Sequence, residues 1–241
     1  MITLKISPRT LARLTGGLYL YIMAAAMFAE AFVRDRLIVS GDAAATLGRI
    51  ASSEQLWRWG VAADVSTTLC DVAVAALLYL LLRPVSRAGS FTAACFRLTF
   101  AAAMLANATF LAVTPWLIAN AAGLPAMERA QAQSLVMYSL HLHAAGFAIA
   151  LMFFGVHLVM TGALIARSTF LPAILGVGLS FAGICYVANS FIGLVAPAWG
   201  AILFPWILLP GFVAEAALTL WLLSVGVNPM LWLAKNQATN G

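Results

Sequence analysis

The chain has 241 residues, 63% of them hydrophobic and only 9% charged, against about 25% charged in an average soluble domain. With a mean hydropathy of +0.99 it lacks the polar surface of a water-soluble fold, which excludes soluble enzymes, disordered proteins and nucleic-acid binders. Thirteen basic and eight acidic residues leave a net charge of +5. No basic run forms a stripe, so this surplus reads as membrane-surface charge.

Lys5, Arg9 and Arg13 precede an apolar run from Leu14 to Phe28. Ala29-Glu30-Ala31 has the small-x-small shape of a signal-peptide cleavage site. The run continues to Val33, however, and reaches spanning length, so it reads as a first transmembrane helix. About 20 mostly apolar residues are needed to cross the hydrocarbon core. Six segments qualify: 12–33, 58–82, 92–117, 136–166, 171–195 and 203–227. None alternates like a strand. The expected fold is therefore all-α, a single transmembrane domain over residues 1–241 built as a bundle of six transmembrane helices.

The loop 34–57 carries its own signals. Asp42 is placed to cap an alanine-rich helix from Ala43 to Ile50 at the membrane surface. Ser52-Ser53-Glu54-Gln55 has the capping-box pattern at the start of the second span. Cys70, Cys95 and Cys185 are scattered through apolar runs, which predicts small hydrophobes and neither a disulfide framework nor a zinc knuckle. Gly155, Gly162, Gly176, Gly178 and Gly183 predict close helix packing. Asn228-Pro229 opens a short tail helix carrying Trp232 and Lys235, suited to the inner interface.

Orientation follows from the basic residues. Lys5, Arg9, Arg13, Arg83, Arg87, Arg97, Arg167 and Lys235 fall on one side; Arg34, Arg36, Arg49, Arg58 and Arg129 fall on the other. The bias predicts that both termini are cytoplasmic, with 34–57 outside. Trp57, Trp59, Trp116, Trp199 and Trp206 then form an outer aromatic belt.

Ionisable groups inside a bilayer are costly and mark candidate sites. By helical rise, Asp71 and Glu215 fall near mid-span, with His157 and Asn107 within about 5 Å of the midplane. A second layer about 10 Å outward holds Glu30, Asp64 and Asn189, with His143 further out, and Arg97 lies about 10 Å inward. Asp64 and Asp71 share a helix face, as do His143 and His157. Arg97 is expected to pair with Asp71 or Glu215, and Glu30 to face Arg34 four residues on. Both layers offer donors for a proton, a metal or a polar ligand. Glu30, Asp64 and His143 are the expected lining of one outer polar cavity, and the candidate ligands of a divalent metal. Haem is disfavoured. The spacing of His143 and His157 suits two stacked haems, but only a symmetric homodimer could supply the second histidines.

Several stretches together resemble the bacterial multi-pass membrane family known as domain of unknown function 4386. They are Ala12-Arg-Leu-Thr-Gly-Gly-Leu-Tyr-Leu, Phe28-Ala-Glu-Ala-Phe-Val-Arg, Ser40-Gly-Asp-Ala-Ala-Ala-Thr, Leu69-Cys-Asp-Val-Ala, Leu82-Arg-Pro-Val, Phe154-Gly-Val-His-Leu and Tyr186 to Phe191. The resemblance implies a membrane protein without an assigned activity. It maps recurring polar positions to Glu30, Asp64, Asp71, Arg97, His143, His157 and Glu215, with Asn189 where an acid is expected. Three functions compete. One is a transporter or sensor for a small polar ligand, proton or cation. Another is an intramembrane metal-dependent hydrolase acting on a lipid. The third is an assembly subunit without its own site. Besides the lipid bilayer, the partners expected are such a ligand or cation and a second copy of the chain, and no nucleic acid.

Overall fold

The computed structural model describes residues 7–121 and 126–240. Lys5 and the side chain of Arg129, both counted in the charge bias above, lie outside the described residues. Among the described residues the chain is helical throughout and forms no strand. Helix α1 (Pro8–Met27) runs on through π-helical turns (Phe28–Arg34) to a short α-turn (Asp35–Leu37). Then come α2 (Ala43–Ser52), α3 (Glu54–Leu82), α4 (Arg87–Ala112), α5 (Thr114–Ala121) and α6 (Ala126–Arg167). They are followed by α7 (Ala173–Val195), α8 (Pro197–Leu203), α9 (Leu209–Ser224) and α10 (Pro229–Asn240).

Among the described residues six helical stretches are long and apolar enough to cross a membrane: Pro8–Leu37, Glu54–Leu82, Arg87–Asn120, Gln133–Arg167, Ala173–Val195 and Trp206–Ser224. The protein is thus a multi-pass membrane protein of the all-α class. The observed helices overrun the sequence estimate at several ends, because charged and capping residues there remain helical at the interface. The surface helix is present as α2, with the Asp42 carboxylate accepting from Ala45 N at 2.8 Å. Asn228 Oδ1 likewise accepts from Met230 N at 3.1 Å and caps α10. The expected capping box differs: Ser52 Oγ donates back to Arg49 O at 3.0 Å, so it closes α2 and does not open α3.

The chain packs as two compact units. The first comprises Met1–Tyr21, Cys70–Ala101 and Ala148–Gly241. Its core gathers Leu81, Leu82, Phe154, Leu158, Leu179, Leu218 and Leu222. Glycine sets how closely α6 and α7 approach. A Cβ on Gly155 would lie 2.7 Å from Gly183 O, and one on Gly162 would overlap Gly176 O and Ser180. Without side chains there, the two backbones come into direct contact, which is how helices gain dispersion energy in a lipid solvent.

The second unit comprises Ile22–Leu69 and Ala102–Phe147. Its core gathers Val33, Leu37, Ile50, Trp57, Leu111 and Leu140. Trp57 is 1% exposed, and its Nε1 donates to Leu111 O at 2.9 Å. It therefore belongs to the core and not to the aromatic belt expected from its position near a helix start. Trp59, Trp116, Trp199 and Trp206 are exposed, as belt residues are.

Candidate functional site

Two polar clusters form, one within each unit. That of the first unit is centred on Arg97 of α4, which is completely buried. Its guanidinium donates to Asp71 Oδ1 from Nη2 and to Tyr19 Oη from Nη1. Nη1 also lies 3.2 Å from His157 Nε2. The other ring nitrogen, His157 Nδ1, lies 2.9 Å from Ala93 O. A carbonyl can only accept, so the proton sits on Nδ1 and the bare Nε2 accepts from Arg97. Both histidine nitrogens are thereby engaged. Aromatic faces enclose the cation: the guanidinium carbon lies 4.5 Å from the Tyr19 ring centre and 5.3 Å from that of Phe154. Such contacts stabilise a desolvated guanidinium by about 2 kcal/mol.

Glu215 of α9 belongs to the same unit but has a different partner. Tyr186 Oη of α7 donates to Glu215 Oε1 at 2.9 Å. The Tyr186 ring stacks on Phe154 at 6.0 Å, and Phe154 lies 5.8 Å from His157. Gly211, one turn before Glu215, makes room for this arrangement, since a Cβ there would fall on the Tyr186 phenol. Glu215 is within electrostatic reach of Arg97 and Asp71. Asp71 and His157, expected near one depth, do meet through Arg97. Arg97 pairs with Asp71, the first of its two expected partners.

The second unit holds Glu30, Asp64 and His143. Arg34 bridges Glu30 and Asp64. Its Nε donates to Glu30 Oε2 at 2.6 Å, while Nη1 and Nη2 grip the two oxygens of Asp64 as a fork. The π-helical turns of α1 carry both Glu30 and Arg34. The Glu30 side chain is 61% exposed and the Asp64 side chain 12%. His143 is within electrostatic reach of Arg34 but is hydrogen-bonded elsewhere: Asn107 Nδ2 lies 3.1 Å from His143 Nδ1 and donates to His143 O at 2.9 Å. Gly146 makes space for the Asn107 amide, where a Cβ would overlap Oδ1. Among the described residues no three of His, Cys, Asp and Glu come together as a group able to hold a metal ion. Glu30, Asp64 and His143, the expected outer metal set, thus have other partners in this geometry. The cation these carboxylates meet is a guanidinium, and the histidine is held by an amide.

Asn189 is half-buried on α7 and joins neither cluster among the described residues. His141 is exposed. Sequence reading missed Tyr19 and Tyr186 as polar partners. The available signal was a phenol deep in an apolar span, since a buried Tyr hydroxyl usually finds a hydrogen bond. It also placed Arg34 in the loop, because nothing in the sequence marks a π-turn that prolongs the first helix.

The chain belongs to the family described as Domain of unknown function (DUF4386), which it matches over residues 14–226. No curated protein and no solved structure matches it.

Proposed function

We propose that this family member is a proton-handling protein of a bacterial inner membrane, a transporter or sensor in which Glu215 takes up and releases the proton. The observation that carries the reading is the environment of Glu215. Among the described residues, Asp71, Asp64 and Glu30 each bond a guanidinium, whereas the Glu215 carboxylate is bonded by the phenol of Tyr186. With a proton on Glu215, Arg97 and Asp71 remain as a balanced pair. Without it, two carboxylates stand in one unit with a single buried cation. An unbalanced charge within a bilayer costs about 2.5–3.5 kcal/mol or more, enough to shift the packing of α7 against α9. Stacking of Tyr186 on Phe154 packs Glu215's partner against the Arg97 cluster, so a change of charge at Glu215 is felt there through packing and electrostatics.

A proton suits the site better than a larger ligand. The Tyr19 and Phe154 rings pack on Arg97, and Tyr186 stacks on Phe154. A groove of about 550 Å³ in this unit is lined by Ile174, Phe181, Trp206 and Val213 and their apolar neighbours. Both termini are proposed to be cytoplasmic, since the starts and ends of the chain's basic helices share one end of the first unit. The test is a proteoliposome loaded with a pH-sensitive dye and given an external acid step. Wild-type protein should acidify the lumen faster than Glu215→Gln. Equal rates would remove Glu215 from any proton route.

A further inference from the structure

Six chain segments meet at one end of the first unit. Trp232 Nε1 of α10 donates to Leu81 O at the end of α3, at 2.8 Å. Asn228 N donates to Phe170 O, just before α7, at 3.3 Å. Beta-carbons built on Gly226 and Gly89 would lie 3.8 Å from Ala12 Cβ of α1 and 3.3 Å from Leu164 Cδ2 of α6. This end therefore collects the start of α1, the α3–α4 turn, the end of α6, the start of α7, the end of α9, and α10.

Arg9, Arg13, Arg83, Arg87 and Arg167 all project from those helix ends. Four are exposed and Arg83 is half-buried, and none makes an ion pair among the described residues. The only Asp and Glu residues in the unit are Asp71 and Glu215. Helical rise puts Asp71 about 18 Å below Arg83, and Glu215 about 14 Å below the end of α9. The cationic charge is thus unopposed. Apolar side chains stand exposed beside it: Leu14, Ile174, Met230, Leu231 and Leu233.

We propose that this arginine rim binds anionic phospholipid headgroups. Guanidinium forks match phosphate oxygens. The neighbouring exposed apolar side chains suit the acyl chains attached to that phosphate, which a free anion lacks. The rim stands independently of the proton reading, because neither Glu215 nor the Arg97 cluster takes part in it.

Native mass spectrometry of the full chain released from detergent, with equal phosphatidylglycerol and phosphatidylcholine, tests the proposal. Phosphatidylglycerol should be retained in preference. A basic residue near an anionic surface contributes about fivefold in affinity, so Arg83→Gln with Arg87→Gln should weaken retention about 30-fold. Lysine at both positions should keep most of the preference, and circular dichroism should show both variants folded. Millimolar inorganic phosphate should not displace the lipid. Equal retention of the two lipids, an unchanged preference in the double glutamine variant, or full displacement by phosphate would each overturn the proposal.

Discussion

Replacing Arg97 with Gln removes the cation at the centre of the first unit while keeping a polar side chain of shorter reach. Arg97 is fully buried and serves Asp71, Tyr19 and His157 together. Removing one member of a buried ion pair costs about 3–5 kcal/mol, because the other charge is left uncompensated. Each of the two further hydrogen bonds contributes about 0.6 kcal/mol by measurements within membranes. The sum is about 4–6 kcal/mol. For a chain of this size about 1 kcal/mol moves the melting temperature by about 2–4 °C, so Arg97→Gln should melt at least about 8 °C lower. Asp71→Asn alone leaves the cation unopposed and should be destabilising for the same reason. The double variant removes both charges at once. It should be more stable than the sum of the two single losses, by about 0.5–3 kcal/mol of coupling. The assay is thermal unfolding in one detergent at fixed protein concentration, followed by tryptophan fluorescence. Strict additivity would refute the ion pair as the organising interaction of the cluster.

Gly211→Ala should displace the Tyr186 phenol and lower stability by about 1–3 kcal/mol, as overpacking does, and the proteoliposome response should fall with it toward that of Glu215→Gln. Gly162→Ala, which overlaps the α7 backbone, should destabilise by a similar amount, whereas Gly17→Ala and Gly193→Ala, which meet open space, should leave the melting temperature within about 2 °C. Trp57→Phe removes the Nε1 hydrogen bond to Leu111 O and should cost about 1 kcal/mol in the same melt. Asp64→Asn weakens the Arg34 fork and should lower the melting temperature without changing zinc content by elemental analysis.

Apolar runs of spanning length made the six membrane helices legible, since a lipid solvent permits few other solutions for so hydrophobic a chain. The caps at Asp42 and Asn228 were legible because they act within three residues of themselves. What the sequence could not show is which faces of distant helices meet. Arg34 reads locally as an i,i+4 partner of Glu30, which is correct, but its fork on Asp64 spans thirty residues of chain. Glu30, Asp64 and His143 therefore looked like a ligand set, when an arginine four residues beyond Glu30 already satisfied two of them. The same limit applies to Arg97. Its ion pair with Asp71 follows from charge, whereas its contacts with Tyr19 and His157 depend on how α1 and α6 are rotated. Trp57 was misplaced because a tryptophan near a helix start reads alike whether it faces headgroups or a neighbouring carbonyl.

On the reading proposed above, Glu215 gains and loses a proton within the membrane-spanning region. Infrared difference spectroscopy of the reconstituted protein, recorded between acidic and alkaline buffer, observes a protonated carboxyl directly through its carbonyl stretch. A carboxyl band should appear on acidification, be absent from Glu215→Gln, and shift in frequency when Tyr186→Phe removes the phenol that bonds it. A difference spectrum identical in wild type and Glu215→Gln would contradict the claim.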